Sequence, residues 1–332
     1  MIVLRRPHAP RDRHSRGEAG ASAYPRETMP MSNSTVRCCA ILLLAACGSP
    51  PVAGAAEPPQ WKFEPGLANR YRITQQTEID RTGAGGDAKA NMTVTIDMSW
   101  KVQEVKPDGS AVLEQRIDRM RQKFSTGDGQ QAEIDSQSLD NPEGPAAMLV
   151  PLLKAITASS FTVTMPPRGE ITRVEVPEAF VEALKNQPGA AQLGELAGEE
   201  GFKSLVAKAA FVIPETLSEG DQFVRTTETN VAAIGKQIAE VSYTYQGSRE
   251  VDGKIMEVFQ PKIAVRFEGG PVAIDVADQH SDGELLFNRT DGRMESSRLE
   301  QRMNLKIVVG GQETFQKIAQ TLSMEWLPPD AE

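Results

Sequence analysis

The densest group of chemically capable side chains is Asp275, Asp278, Asp282 and Glu284, with His280 among them. Several carboxylate oxygens close together are what a hard cation such as calcium requires. The spacing matches no EF-hand loop, and Asp282-Gly283 reads as a hairpin turn, so these four are a weak metal candidate and are expected at a solvated tip. A second acidic stretch, Asp135 to Glu143, is punctuated by Asn141-Pro142 and Glu143-Gly144 and reads as a loop. Arg116, Arg119, Arg121 and Lys123 alternate with other residues, as Arg298, Arg302 and Lys306 do later. In an acidic chain such basic stripes are expected to face glutamates and aspartates across strands.

Nucleophile and metal chemistry is thin elsewhere. All three cysteines, Cys38, Cys39 and Cys47, lie near the start of the chain. His8 and His14 precede them, which leaves His280 as the sole histidine of the remainder. A Ser-His-Asp triad would have to use that one residue, and no Gly-x-Ser-x-Gly elbow accompanies it. Gly83-Ala84-Gly85-Gly86 lacks the Lys-Ser/Thr ending of a phosphate loop and reads as a hairpin connection. No cofactor and no catalytic residue are assigned.

Leu44-Ala45-Ala46-Cys47 closes a short apolar run that follows Arg37. A basic residue, an apolar run and a small-residue box in that order form an export signal, too short to span a bilayer. The box resembles the bacterial lipoprotein signal, which implies lipid attachment at Cys47 and a membrane anchor through it. Ala53-Gly54-Ala55 offers a rival cut near 55/56 that would release a soluble protein. Residues 1–30, Arg-rich and ahead of a complete signal, read as a misassigned extension with Met29 or Met31 as the start. The expected organisation is a signal at 31–47, a tether at 48–62 and a β-rich domain at 63–327.

Residues 1–47 hold seven of the 36 basic and three of the 45 acidic residues, so the remainder carries 29 positive and 42 negative charges, a net of −13. Such a surface argues against a nucleic-acid partner.

The elements that must position any site are mostly strands. In Met92 to Val102 every even position is apolar, which places Met92, Val94, Ile96, Met98, Trp100 and Val102 on one sheet face. Pro107-Asp108-Gly109 turns the chain into a returning strand, Ala111 to Phe124, whose alternation changes phase near Ile117 and predicts a bulge there. Helices are expected at Pro145–Thr157 and after Pro177, the latter placed at the first helical position. A helical insertion over about 177–211 separates two β-meander halves, about 63–176 and 212–327. Gly66 and Tyr71 find counterparts in Gly220 and Phe223, and Trp100 to Val105 ahead of Asp108-Gly109 parallels Tyr245 to Val251 ahead of Asp252-Gly253. Asp282-Gly283 and Asp291-Gly292 bracket a strand from Glu284 to Arg289; in the last segment, Thr314 to Trp326, Phe315, Ile318 and Leu322 fit a helix or an irregular strand, and strand is expected because it pairs with the one before. The fold class is therefore mainly β, with curved antiparallel sheet from two similar halves. Met92, Val94, Ile96, Met98, Trp100 and Met120 line either its core or a cavity for a hydrophobic ligand.

The export signal, Tyr71-Arg72-Ile73-Thr74, Trp100 to Gly109, Asp135-Ser136, Arg168 to Ile171, Ile213-Pro214, Gly220 to Phe223 and Tyr245 to Gly253 together resemble an uncharacterised family of exported bacterial proteins, a domain of unknown function. The resemblance spans roughly 63 to 327 and implies a β-rich exported domain with no catalytic residues to carry over. Three functions follow in order: a non-enzymatic binding or scaffold module of the envelope, a carrier of an acyl or other hydrophobic ligand, and a carboxylate-based enzyme.

Growth of a bacterial host with radioactive fatty acid tests the anchor. Label is expected on the wild-type chain and absent from Cys47→Ala; an unlabelled wild type indicates the cut near 55/56.

Overall fold

The computed structural model describes residues 57–83, 86–139, 145–185, 199–200, 203, 206, 211–231 and 234–329. Twelve strands form one antiparallel sheet, which is not closed. In chain order they are β1 (Ala68–Gly83), β2 (Ala88–Val105), β3 (Ala111–Thr126), β4 (Gln131–Asp135), β5 (Ser160–Met165), β6 (Arg173–Glu175), β7 (Gln222–Val231), β8 (Gly235–Val251), β9 (Lys254–Glu268), β10 (Ala273–Asn288), β11 (Arg293–Val309) and β12 (Gln312–Leu327). Across the sheet the order is β6-β5-β3-β2-β1-β12-β11-β10-β9-β8-β7, with β4 also on β3. Helices α1 (Pro145–Ala158) and α2 (Glu178–Lys185) lie between β4 and β7, and residues 199–200, 203 and 206 are helical as well.

Most turns follow from their residues. Asp252 and Gly253 both adopt positive φ, 50° and 75°, as a two-residue type I′ hairpin demands. Gly310 and Gly311 repeat this between β11 and β12, with φ of 58° and 81°. The phase change in β3 is a bulge: Asp97 pairs with Arg119 and Met98 with Ile117, which leaves Asp118 as the extra residue. The last segment is strand along its full length, paired with both β11 and β1.

The two halves enter the sheet alike. Gly66 N–H donates to Val102 O and Val102 N–H to Leu67 O, both at 2.9 Å. Gly220 N–H donates to Tyr245 O at 2.8 Å and Tyr245 N–H to Asp221 O at 2.9 Å. Val102 thus corresponds to Tyr245 and Trp100 to Tyr243, where the sequence pattern matches Trp100 with Tyr245. Each strand carries a bulge just beyond this point, between Val102 and Glu104 in β2 and between Tyr245 and Ser248 in β8.

Two further expectations are corrected. Pro177 precedes α2 rather than opening it, since its carbonyl accepts the N–H groups of Phe180 at 3.0 Å and Val181 at 3.3 Å. Asp282-Gly283 is not a turn: β10 runs through it without interruption. Gly283 serves close approach instead, because a Cβ there would lie 2.5 Å from Arg298 O and 2.9 Å from Pro261 Cγ.

The main core closes one end of the sheet. Val163 and Met165 of β5 share a cluster with Phe223 of β7, although these strands stand near opposite ends of the sheet order. The sheet must therefore roll until its margins approach. Trp61, ahead of the strands, and Phe211 and Ile213, ahead of β7, fill the interior. Trp61 packs edge-on to Phe287 at 5.3 Å, and Phe211 edge-on to Phe259 at 5.1 Å. Fully burying an aromatic ring of that size contributes about 2–3 kcal/mol. The turn before β6 is clamped by both segments: Trp61 N–H donates to Pro167 O at 2.7 Å and Ile213 N–H to Arg168 O at 2.8 Å. Gly169, at φ 90°, has no room for a Cβ between Phe211 O and the Trp61 ring.

Gly283→Ala is expected to lower stability by about 2 kcal/mol through overpacking between β9 and β11. Urea denaturation measures it, and a loss below a few tenths of a kcal/mol would contradict the close-approach account.

Candidate functional site

Because directly paired residues share a face, the registers sort the side chains. The even positions of β2 pair with Tyr71, Ile73 and Ile79 of β1, which pair with Trp326, Met324 and Ile318 of β12. These continue to Leu299, Met303 and Leu305 of β11 and onward to Phe259, Tyr245 and Phe223. This is the inner face, and both core clusters lie on it. The opposite face carries Arg72, Asp97, Arg121, Arg298, Glu300 and Lys306.

Met92, Val94, Ile96, Met98, Trp100 and Met120 all lie on the inner face and all are half-buried. Met98 and Trp100 pack against the main core; Met92, Val94, Ile96 and Met120 belong to neither cluster. Their neighbours Phe124 and Leu322 are 40% and 39% exposed. The inner face is thus sealed at the Trp61 end and partly uncovered over β2, β3 and β12.

A polar row crosses this face. Ser281 pairs with Gln301, Gln301 with Gln320, and Gln320 with Thr77. It separates the main core from the smaller cluster of Val265, Met303 and Leu305. Ser281 also bridges a seam in the sheet. Backbone pairing between β9 and β10 is confined to Met256–Phe259 against Leu285–Asn288. Beyond it the Ser281 hydroxyl accepts from Ile263 N–H at 2.8 Å and donates to Ile263 O at 3.0 Å. Gln279 does the same for Val265, at 2.8 and 3.3 Å. Continued along β9 and β8, the row ends at Arg225 on β7, which pairs with Val241, itself paired with Ile263.

One carboxylate is buried in the sealed end. Glu257, 0% exposed, receives Arg289 Nη1 on Oε1 at 2.7 Å, and Ser248 Oγ at 2.7 Å and the Tyr245 hydroxyl on Oε2. Burial, then the bond to Glu257, pushes the Tyr245 phenol above its ordinary range. Nearby, Arg293 lies 3.8 Å from the Trp326 ring centre and pairs with Asp291 at 2.8 Å and Glu295 at 3.2 Å. Burial raises the Tyr71 phenol strongly, and its hydroxyl finds no hydrogen-bond partner among the described residues.

The weak metal candidates are not brought together. Along β10, Asp275 pairs with Lys306 and Asp278 with Asn304, Asp282 accepts from Gln260 at 2.9 Å, and Glu284 pairs with Arg249 at 2.7 Å. Among the described residues no three His, Cys, Asp or Glu side chains converge to hold a metal. Asp282 and Glu284 instead border an outer groove of about 760 Å³, whose Arg298 pairs with Glu300 at 2.8 Å. The basic stripe of β3 forms cross-strand pairs: Arg121 with Asp97 at 3.1 Å, Lys123 with Glu133 at 3.2 Å and Arg119 with Asp135. The Arg119 guanidinium holds the Asp135 carboxyl below its usual range. Cys47 lies outside the described residues.

Arg225, Gln301 and Glu257 escaped the sequence reading. The available signal was polar or charged residues at inward positions, but inward has meaning only once strand registers are known.

Comparison with known proteins finds a family match over part of the chain. Residues 108–258 match the model of a family of unknown function, DUF6263. The match runs from the turn after β2 into β9 and contains Arg225, Tyr245 and Glu257. No curated protein matches the chain. Among solved structures, one described as lipid–protein interactions in lipovitellin aligns at 10% identity and TM-score 0.44, over 80% of this chain and 26% of that one. The chain therefore spans about a quarter of that protein. DynF from the dynemicin pathway of Micromonospora chersina aligns at 11% identity and TM-score 0.20, over 86% of this chain and 92% of that one. A putative outer membrane lipoprotein-sorting protein domain from Vibrio parahaemolyticus aligns at 9% and 0.14, over 78% and 86%. Likeness at this level is too distant to transfer a ligand or an activity.

Arg289→Ala removes the cation from a fully buried carboxylate and is expected to cost about 3 kcal/mol of unfolding free energy. Glu257→Gln, which keeps acceptor and donor for Tyr245 and Ser248, is expected to cost less. Equal midpoints for the two variants in urea would contradict this.

Proposed function

We propose that the chain is an exported, non-enzymatic binding module of the bacterial cell envelope, and that its inner sheet face takes a hydrophobic ligand of the acyl class. The observation that carries this reading is the uneven burial of one continuous apolar face. At the Trp61 end large side chains are sealed, while Met92, Val94, Ile96, Met120 and Leu322 remain half-covered. Apolar surface left partly wet costs about 25 cal/mol per Å² relative to burial, so covering it with a hydrocarbon chain is favourable. Methionine, adaptable in shape, suits such a lining.

Export is supported by the basic residue, apolar run and small-residue box that precede the domain. A binding role is further supported by the engagement of both oxygens of Glu257, which leaves neither placed as a base or nucleophile.

Native mass spectrometry of protein purified without detergent is the test. A co-purifying acyl species is expected, lost with Ile96→Asp on the inner face and retained with Thr95→Asp on the outer one. A wild-type domain that is empty and takes up no acyl chain after incubation would overturn the proposal.

A further inference from the structure

The inner face carries charge where none is needed for packing. Glu257 is answered by Arg289, and Arg293 by Asp291 and Glu295. Arg81 on β1 and Arg225 on β7 also lie on this face by register, both half-buried, and neither has an ion pair among the described residues. In a domain with a net charge of −13 outside residues 1–47, the uncompensated charges of the apolar interior are thus positive.

Arg225 is the better placed of the two. Its strand neighbours on the same face are Phe223 and Thr227, and across the pair stand Val241 and, one row on, Tyr243, which stacks on Phe223 at 5.1 Å. The guanidinium therefore emerges from the aromatic margin of the sealed core. Burial lowers its pKa, opposed by the fields of the Tyr243 phenol and of exposed Glu170, and among the described residues neither forms an ion pair with it. From Arg225 the same cross-strand row leads through Val241 and Ile263 to Ser281 and Gln301. The Gln301 amide nitrogen, in a side chain only 7% exposed, has no hydrogen-bond partner among the described residues. A purely structural interior would gain by replacing a desolvated guanidinium and an orphaned amide with aliphatic groups. An anion with an apolar tail answers the guanidinium, its charged end at Arg225 and its tail on the apolar residues beside it.

We propose that Arg225 binds the carboxylate of a long-chain fatty acid, with the hydrocarbon chain on the apolar residues of the inner face. The inference rests on the acyl-binding reading above and names the ligand's polar end. A planar guanidinium offers a carboxylate two parallel N–H donors, and the partly dry surroundings strengthen them. Phe223, Val241 and Tyr243 keep water from the pair on the strand side.

The test uses the delipidated mature protein with palmitic acid and with hexadecanol, each displacing a fluorescent fatty acid. Arg225→Gln is expected to weaken palmitate binding about tenfold or more while hexadecanol binding stays within twofold of wild type. Arg225→Lys, which keeps the charge and loses the fork, should fall between. Retained hexadecanol binding and an unchanged thermal midpoint show that the variant is folded. Unaltered palmitate affinity in Arg225→Gln, or a loss seen only in Arg81→Gln, overturns the assignment while leaving acyl binding intact. A wild type that binds neither probe overturns the assignment and the acyl-binding reading together.

Discussion

The pairing of the first strand with the last holds the molecule together. β1 and β12 match over fourteen residue pairs, from Arg70 with Leu327 to Gly83 with Thr314, at the middle of the sheet. On one side hang β2, β3, β5 and β6; on the other, β11 back to β7. Without that ladder each half would present an apolar face about half as wide, unable to roll onto Trp61 and Phe211. The contact is also the longest in sequence, so its closure entropy is met only after both meanders exist, which marks this as a slow-folding topology.

Among the described residues the sheet has only a partial second layer for its apolar face, with α1 against β3 and β4 and Leu153 and Ile134 buried there, and the protein meets this constraint unevenly. At one end the sheet margins converge, and the Trp61 and Phe211 segments supply the missing layer. Toward the other end the side chains cover one another only in part. The polar row of Ser281, Gln301, Gln320 and Thr77 divides the two regions. Its Ser281 hydroxyl, with Gln279, replaces ladder hydrogen bonds that the splayed β9 and β10 do not make. An unpaired buried amide such as that of Gln301 costs about 1–3 kcal/mol, which sets it apart from Ser281, whose donor and acceptor are both used.

Charge follows the same logic. On the outer face, opposite charges meet across strands: buried Asp97 is held by both Arg72 and Arg121, while Lys123 with Glu133 lies where water screens it, a pair worth about 1 kcal/mol or less. Inside, Glu257 is tolerable because three donors surround it. Arg225 has no such set among the described residues, and this contrast between two charges on one face distinguishes a structural group from a candidate ligand contact.

Local grammar was enough for much of this. The alternation of Met92 to Val102, the turns at Asp108-Gly109, Asp252-Gly253 and Gly310-Gly311 and the bulge at Asp118 follow from period two and from positive φ, which act within a few residues, whereas the strand character of Thr314 to Trp326 follows from its pairing with the segment before it. The mainly β class and the two similar halves follow from them. Asp282-Gly283 misled because the same dipeptide serves a turn or a tight crossing, and only the approach of Arg298 and Pro261 decides which. In the repeat, residue type matches Trp100 with Tyr245, whereas the hydrogen bonds made by Gly66 and Gly220 set Val102 against Tyr245 and hence Trp100 against Tyr243. Tertiary structure alone determined that β12 adds to β1, that Val163 and Phe223 share a core, and that Arg225 faces inward in the row of Gln301. Those facts depend on register between strands far apart in the chain, and register is set by the sum of many weak side-chain pairings that no single segment encodes.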